Sequence, residues 1–597
     1  MKIGIEIHQR LDTHKLFCDC PSSIDEQEQP RATIRRKLHP VLSEMGEYDD
    51  ASKAEYGKGR EFEYQIFSNN CLIETDEEPP KNMNTEALKI ALQIALALNA
   101  TPLDEIHVMR KMVIDGSNTS GFQRTSIVAV NGHVESSKGT IKIQTIAIEE
   151  ESAGIVSNTE TSATYRLDRL GVPLIEITTS PDIKDGEHLR EVAEKIGLIL
   201  RTTGKVARGL GTIRQDLNVS TEGGSRVEIK GAQDLKMLSD LVEGEAKRQE
   251  KLVSLIYELR EKKSLPIKEH YIDLSALFKS TGASIIKKGL DSGSIILSQK
   301  IPSHKGLLGL EIQKGKRYGT ELSDYAKLAS VKGIIHSDED LSKYGFTPAE
   351  IDSISHALRV EKDDAFVIVV APEFQARAAL TNVLVRLNMD YVPGETRRAN
   401  PDGTTSFMRP IPGKARMYPE TDIQPVILNS DIIDSVSRSE SLDDKKARLE
   451  KLLNKDMAAT MIKSRNLHLF ERIIEMGVEP ILAANTLENT LVSLRREGIE
   501  FNDLEKTVIE MFGEYLKGSF VKAAIPDVLK YMAKGARTEA VLKVYRLAKI
   551  TGSSLEKLVA ENQCNMQLIM QKYRLQVDSK EVSELVNKMK CDNPAYR

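Results

Sequence analysis

The chain has no tryptophan, and aromatic residues make up only 5% of its 597 positions. That argues against a protein that grips single-stranded nucleic acid by stacking its bases. Cysteine is scarce: five residues, Cys18, Cys20, Cys71, Cys564 and Cys591. An odd count with one C-x-C and sparse spacing makes no disulfide framework, so a reducing, cytoplasmic setting is expected. Cys18, Cys20 and Cys71 lack a nameable fourth ligand and match zinc-ligand spacing poorly, so free thiols are expected there. Long apolar runs are also missing. The most apolar stretch, Leu88–Leu98, is too short and too interrupted to span a bilayer. The opening MKIGIEIHQR has no apolar core of a secretory signal. No G-x-x-x-x-G-K-[ST] loop, G-x-S-x-G elbow, H-E-x-x-H pair or strand–GxGxxG–helix occurs. Any ATP used is therefore not held by a standard P-loop.

What is present fits a large soluble protein: 40% apolar, 29% charged, and long enough for three to five domains. The formal net charge is −5, so a nucleic-acid partner must be met by local basic patches. The first segment reads as a strand. Ile3, Ile5 and Ile7 alternate with Gly4, Glu6 and His8, which sets Glu6 and His8 on one face about 7 Å apart. Strand signal also marks Phe62–Phe67, and helical spacing marks Asn84–Asn99, Glu187–Arg201 and Asp240–Arg260. From Ile106 to Ile177 the pattern is mainly β.

Three adjacent carboxylates, Glu149, Glu150 and Glu151, precede Glu176, which sits inside the apolar run LIEIT. A carboxylate buried there must be paired, protonated or holding a cation. Two more strands carry polar faces: Arg214, Asp216 and Asn218 opposite Ile213, Leu217 and Val219, and Arg226, Glu228 and Lys230 opposite Val227 and Ile229. Each alone is what a half-exposed antiparallel sheet produces. Together they suit a wet, charged basin for an anionic substrate with a metal.

The texture changes near Ile272. Residues Ile272–Met389 mix strand-like runs (IIKKGL, SIILSQK, FVIVVA) with helical pieces at Pro348–Leu358 and Ala376–Leu387. The following Pro-, Gly- and Arg-rich stretch from Met389 to Val426 has little periodicity and reads as a long functional loop. From about Ser437 onward the pattern is helical. Lys530, Lys534, Arg537, Lys543, Arg546 and Lys549 cluster against one acid, Glu539, as a candidate phosphate-tracking patch or a solvated face.

The segments GIEIHQRL, IEEESAG, YRLDRLGVPLIEITTSPDI, IRQDLNVS and VEIKG resemble the signatures of the B/E family of tRNA-dependent amidotransferase subunits. RYGTELSDYAK, GIIHSDE and KYGFTPAEI are similar to the insertion domain of bacterial-type aspartyl-tRNA synthetases, which within that family marks its archaeal branch. The resemblance implies an α+β multidomain fold. An antiparallel β-rich catalytic cradle spans 1–271 and 395–432, with an inserted α+β synthetase-like domain at 272–394. All-α helical and tail domains follow at 433–515 and 516–597.

It also implies ATP-dependent phosphorylation of the Glu side chain on a glutamine tRNA, then amidation. Ammonia would come from an asparaginase-like partner, the family's D chain, in an assembly of two copies of each chain. Glu6, His8, Glu150, Glu151 and Glu176 fall on the family's acidic Mg²⁺ site and would be catalytic. Glu149 would stand outside it. Arg169, Arg214, Asp216, Asn218, Lys230, Arg416 and Tyr418 would bind ATP or substrate, with Ala415–Ile423 returning to the basin. The tail cations Lys530 to Lys549 would meet tRNA. Ser152 and Asp168 depart from the bacterial B-type motif, which has Asp and Asn there. The alternatives are a B-type subunit that also serves aspartyl-tRNA(Asn), and a non-catalytic tRNA-binding scaffold. A synthetase is disfavoured because no synthetase catalytic core is recognisable.

Overall fold

Alternation in the first ten residues builds the centre of the main sheet. In β1 (Lys2–Arg10), Ile3, Ile5 and Ile7 are wholly buried on one face while Glu6 and His8 project from the other. The computed structural model describes residues 1–42, 46–159, 161–209, 211–411, 416–436 and 440–592. It divides the chain into two units, 1–439 and 440–597.

The first unit is organised by one long sheet. Its strands are β1, β2 (Met109–Met112), β3 (Phe122–Val134), β4 (Ile141–Glu150), β5 (Pro173–Thr179), β6 (Ile213–Ser220), β7 (Val227–Lys230), β8 (Glu395–Ala399), β9 (Thr405–Pro410) and β10 (Met417–Pro419). Across the sheet the order is β9-β8-β7-β6-β1-β5-β4-β3-β2-β10, with a short Thr101–Pro102 strand beside β3. Every neighbouring pair is antiparallel except β7 and β8. The two edge strands, β9 and β10, are joined by only seven peptide steps, from Pro410 to Met417. Those steps reach at most about 25 Å, whereas ten strands laid flat span about 43 Å. The sheet must therefore curl, and it brings its edges together as an open cradle rather than a closed barrel. Its aliphatic face is covered by α1 (Thr85–Ala97), α2 (Gly186–Thr202) and α3 (Leu238–Glu261). The α2–α3 approach requires glycine at 186, because a Cβ there would lie 2.2 Å from Ser239 Oγ.

A second sheet, Tyr271–Asp273, Ile295–Ile301, Ala365–Ala371 and Ile335–His336, is antiparallel and lies between β7 and β8 in the chain. The helices α4 (Tyr318–Ala326) and α5 (Glu373–Leu387) share one of its cores with the second half of α3. The run IIKKGL, expected as strand, lies in a helix, Ser284–Asp291, which buries Ile286. Two β-branched residues give a strand-like signal, but only one of the pair faces the core. The stretch Met389–Val426, expected as a loop, holds β8, β9 and β10. Its strands escape hydrophobic patterning because their buried side chains, Glu395, Thr396 and Arg397 of β8 and Thr405 of β9, are ionic or polar. A small third sheet is formed by Ala32–Arg36, Glu61–Ile66, Ser162–Arg166 and Gly154–Asn158.

The second unit is helical from Leu442 to Asp592, with no strand among its described residues. One core runs from Leu449 to Leu547, and a smaller one from Leu555 to Val586. Among the described residues of either unit, no helix is long and apolar enough to cross a membrane. The fold is thus mixed α/β, with a large antiparallel-rich sheet followed by an all-helical region.

Buried charge ties the inserted layer to the main sheet. Arg248 of α3 is wholly buried and meets Glu245 at 2.9 Å, Glu321 of α4 at 2.8 Å and Glu395 of β8 at 3.2 Å. Arg386 of α5 lies 2.6 Å from Glu321, and Arg397 lies 2.5 Å from Glu395. Burial alone would raise the Glu321 carboxyl, but Arg248, Arg386 and Arg397 outweigh it and hold it well below the usual range. Three guanidiniums and three carboxylates thus leave no net charge, and removing one partner strands the others. Replacing Arg248 by Met is expected to destabilise the full-length chain by about 3–5 kcal/mol, seen as a lower denaturant midpoint. The exposed pair Arg377–Glu373 is the control, where Arg377→Met should cost about 0–1 kcal/mol.

Candidate active site

The cradle's polar face encloses a cavity of about 600 Å³. Strand register assembles it. His8 stands between Glu176 of β5 and Arg214 of β6, and Glu6 between Thr178 and Asp216. Asn218 then faces Glu228 of β7. Side chains two apart on one strand and paired across neighbours share a face, so these groups project into one space. Five carboxylates (Glu6, Glu149, Glu176, Asp216, Glu228) and five cations (Lys111, Arg214, Arg226, Lys230, Arg416) line it together with His8. The balance is close to neutral, so cation-binding and anion-binding positions coexist within one cavity.

Two carboxylate clusters line the cavity. In the first, His8 Nε2 lies 3.1 Å from Glu176 Oε2 and 3.7 Å from Glu149 Oε1. Lys111 Nζ lies 2.9 Å from Glu149 Oε2 and 3.7 Å from Glu176 Oε2. In the second, Lys230 Nζ lies 2.7 Å from Asp216 and 2.5 Å from Glu228, while Asn218 Nδ2 donates to Glu6 Oε1 at 3.0 Å.

The protonation states follow. Burial, then the charges of Glu176 and Glu228, pushes Glu6 up to about 7. Burial opposes the charged His8 ring, but its hydrogen bond and charge contact with Glu176, helped by Glu149, push it up to about 9. Burial would raise Glu176, yet Lys111 and His8 hold it well below the carboxylate range. Burial also opposes the Lys230 ammonium, but Asp216 and Glu228 raise it above its ordinary value.

Of the residues singled out from sequence, Glu6, His8, Glu176, Arg214, Asp216, Asn218, Lys230 and Arg416 line the cavity. Glu150, Glu151, Arg169 and Tyr418 do not. Glu150 lies on the opposite face of β4, where it accepts from the Arg124 backbone N–H at 3.1 Å and borders a separate small cavity with Lys15, Phe17 and Glu74. Burial raises its carboxyl. Glu151 is buried behind the wall between Arg10 (2.8 Å) and Arg214 (2.6 Å), so it orients Arg214. Arg169 donates to the Ser152 and Ala153 carbonyls. Tyr418 packs edge-on against Phe122. Arg416 Nε donates to the Met112 carbonyl at 3.0 Å; Ala415, expected beside it, lies outside the described residues.

Glu149, expected outside the site, lines it. Ile146 and Ile148 are fully buried on the aliphatic face of β4, so period two puts Glu150 with them and Glu149 with the cavity. The alternation in TIAIEEE carries that signal, one residue away from where the family motif points. Glu228 is legible as a strand-face acid but is not among the expected site residues. Lys111 gives no signal, because a lysine in the short strand MRKM reads as surface.

The donor set fits a hard divalent cation: His8, Glu149 and Glu176 bring their ligand atoms within 4.8 Å of one another, as do Glu6, Asp216 and Glu228. Mg²⁺ takes one or two carboxylates, with waters and phosphates completing its shell. The cysteines stand apart. Cys18, Cys20, Cys71 and Cys564 form no disulfide; the Cys591 side chain lies outside the described residues. Glu74 supplies the fourth donor group that the sequence leaves unnamed beside Cys18, Cys20 and Cys71. The buried Lys15 ammonium already pairs with that carboxylate at 2.8 Å. Burial and Glu74 push the Cys18 thiol far up, and burial pushes Cys71 up to about 12.

In the second unit, Lys534, Arg537, Lys543 and Arg546 are exposed. Lys530 and Lys549 are engaged by Glu497 (3.1 Å) and Glu581 (2.6 Å). The basic residues are carried by the helices Ile525–Met532 and Thr538–Val544 and the turns after them.

Residues 1–434 match the family described as the GatB/GatE catalytic domain. The chain is 45% identical over 576 residues to the E chain of the glutamyl-tRNA(Gln) amidotransferase of Pyrococcus furiosus, covering 94% of this chain and 90% of that one. It is 41% identical over 621 residues to the corresponding E chain of Sulfurisphaera tokodaii, covering 98% of each. To that of Methanosarcina barkeri it is 41% identical over 624 residues, covering 98% of this chain and 97% of the other.

The two neighbouring acids separate the geometries cleanly. Glu149→Gln is expected to weaken Mn²⁺ binding, read by isothermal titration, by roughly tenfold or more. Glu150→Gln should leave it within about twofold, since its carboxyl lies on the other face.

Proposed function

Because the chain belongs to the GatB/GatE family of amidotransferase subunits, we infer that it is the E chain of a glutamyl-tRNA(Gln) amidotransferase, a ligase of Gln-tRNA formation. The observation that carries the reading to a site is the cavity itself. Phosphoryl transfer asks chiefly for positioning and charge neutralisation, and the cavity offers carboxylate clusters and basic side chains within one space.

In this reading the γ-carboxylate of Glu, esterified to tRNA(Gln), attacks the terminal phosphorus of ATP. The acyl phosphate forms and ADP leaves. Ammonia then attacks the carbonyl carbon of that acyl phosphate, inorganic phosphate departs with the C–O bond electrons, and the nitrogen sheds one proton as the amide forms. Mg²⁺, held by His8, Glu149 and Glu176 or by Glu6, Asp216 and Glu228, would neutralise phosphate charge. Arg214, oriented from behind by Glu151, Lys230 and Arg416 bind phosphate or carboxylate oxygens with charge-assisted hydrogen bonds. With the cation at His8, Glu149 and Glu176, the Glu6 carboxyl, pushed up to about 7 by burial, is suited in its ionised form to receive the proton that the nitrogen releases. Ammonia comes from an asparaginase-like partner, the D chain, in an assembly of two copies of each chain. The exposed cations of the second unit meet tRNA phosphates.

With Glu-tRNA(Gln), ATP, Mg²⁺ and ammonium supplied, Glu176→Gln is expected to lower γ-glutamyl phosphate formation by roughly 10²-fold or more. Unchanged turnover in a folded variant contradicts the assignment. The tRNA patch is tested by substitution rather than truncation, because the core from Leu449 to Leu547 runs through the region. Replacing Lys534, Arg537, Lys543 and Arg546 by Ala should weaken tRNA binding and reduce its salt slope by roughly one per lost phosphate contact. Affinity and slope equal to the parent chain would make the patch a solvated face.

A further inference from the structure

Lys111 stands where no sequence signal places it. Its strand, β2, pairs with β10, so Lys111 lies opposite Met417, next to Arg416. The side chain is four-fifths buried, and its ammonium touches Glu149 at 2.9 Å and Glu176 at 3.7 Å. Those two, with His8, bring ligand atoms within 4.8 Å of one another. An ammonium in ionic contact with both carboxylates occupies the charge position a divalent cation would take. The two cannot share it, because a second positive charge at contact distance is strongly repelled in a low-dielectric cavity.

We propose that Lys111 is a built-in counter-ion of the His8–Glu149–Glu176 cluster, which trades places with the divalent cation and then offers its ammonium to the phosphoryl oxygens of the substrate. The inference rests on the metal reading of that cluster and adds a cation-exchange step within it. It needs no backbone movement. Lysine's four-carbon stem and compact charge allow the head to swing while the strand stays paired, whereas a planar guanidinium would be held to its carboxylates. The neighbouring cluster shows a parallel arrangement, with Lys230 between Asp216 and Glu228. Each set of carboxylates is thereby kept from mutual repulsion when no metal is bound. The basin is folded and closed to adventitious cations until a metal competes successfully.

Exchange makes a prediction opposite to that of an ordinary supporting residue. Removing a structural neighbour of a metal site weakens metal binding; removing a competing cation strengthens it. Mn²⁺ binding to the full-length chain, without nucleotide, is measured by isothermal titration and by Mn²⁺ electron paramagnetic resonance. Wild type, Lys111→Met, Lys111→Gln, Lys111→Arg and Glu176→Gln are compared. Lys111→Met and Lys111→Gln are expected to bind Mn²⁺ at least about fivefold more tightly than wild type. Lys111→Arg, which keeps the charge, should bind no more tightly than wild type.

Thermal melts guard against misfolding. The metal-free Lys111→Met or Lys111→Gln protein should melt lower than wild type, and Mn²⁺ should raise its midpoint by more than it raises the wild type's. Equal or weaker Mn²⁺ binding in whichever neutral variant folds overturns the exchange. If wild type shows no Mn²⁺ site that Glu176→Gln removes, the metal reading beneath it fails, and the exchange falls with it.

Discussion

The first unit depends on one electrostatic compromise. Strands in a sheet lie about 5 Å apart, and five of the acids on the cradle's polar face project into a single cavity. Carboxylates so crowded repel one another unless cations stand among them. Lys111 and Lys230 stand there, each touching two of the acids. Glu6 has no such cation in contact and instead takes a hydrogen bond from neutral Asn218; its carboxyl is the one driven toward neutrality. The aliphatic face supplies the adhesion that lets the polar face carry this arrangement, through Ile3, Ile5, Ile7, Ile175 and Ile177, all fully buried.

The same logic reaches outward from the cavity. β8 and β9 follow the inserted layer in the chain, and β8 lies beside β7, which carries Glu228 and Lys230. Thr396 of β8 donates its hydroxyl to Glu228 at 3.1 Å. On either side of Thr396, Glu395 and Arg397 are locked into the buried cluster with Arg248 and Glu321. A wall of the cavity is therefore fixed to the inserted layer through charge as well as through apolar packing. β10 lies at the opposite edge of the sheet from β9, and Arg416, directly before β10, lines the same cavity as Glu228 of β7.

The helices and the central strands are legible because period is a local property. Asn84–Asn99, Glu187–Arg201 and Asp240–Arg260 are expected as helices, and the structure forms them within two residues at each end. The polar strand faces holding Glu6, His8, Arg214, Asp216 and Asn218 also follow directly from alternation. What escapes the sequence is non-local. Lys111 enters the site through tertiary pairing, of β2 with β3, the neighbour of Glu149's strand β4, and with β10 some 300 residues later, and no local pattern encodes that. The strands after Met389 hide their periodicity because their buried residues, Glu395, Thr396, Arg397 and Thr405, are ionic or polar. Glu149 is different: alternation with Ile146 and Ile148 identifies its face, while the family motif points one residue further along. One residue is the whole distance between the two faces of a strand.

Strand register, rather than the order of acids in the sequence, decides which acids share the cavity where the proposed divalent cation would sit. Anomalous diffraction from crystals of the full-length chain soaked in Mn²⁺ reads this directly. The expected result is a manganese peak among His8, Glu149 and Glu176, or among Glu6, Asp216 and Glu228, and none at Glu150. A peak ligated by Glu150, on the opposite face of the sheet, would contradict it.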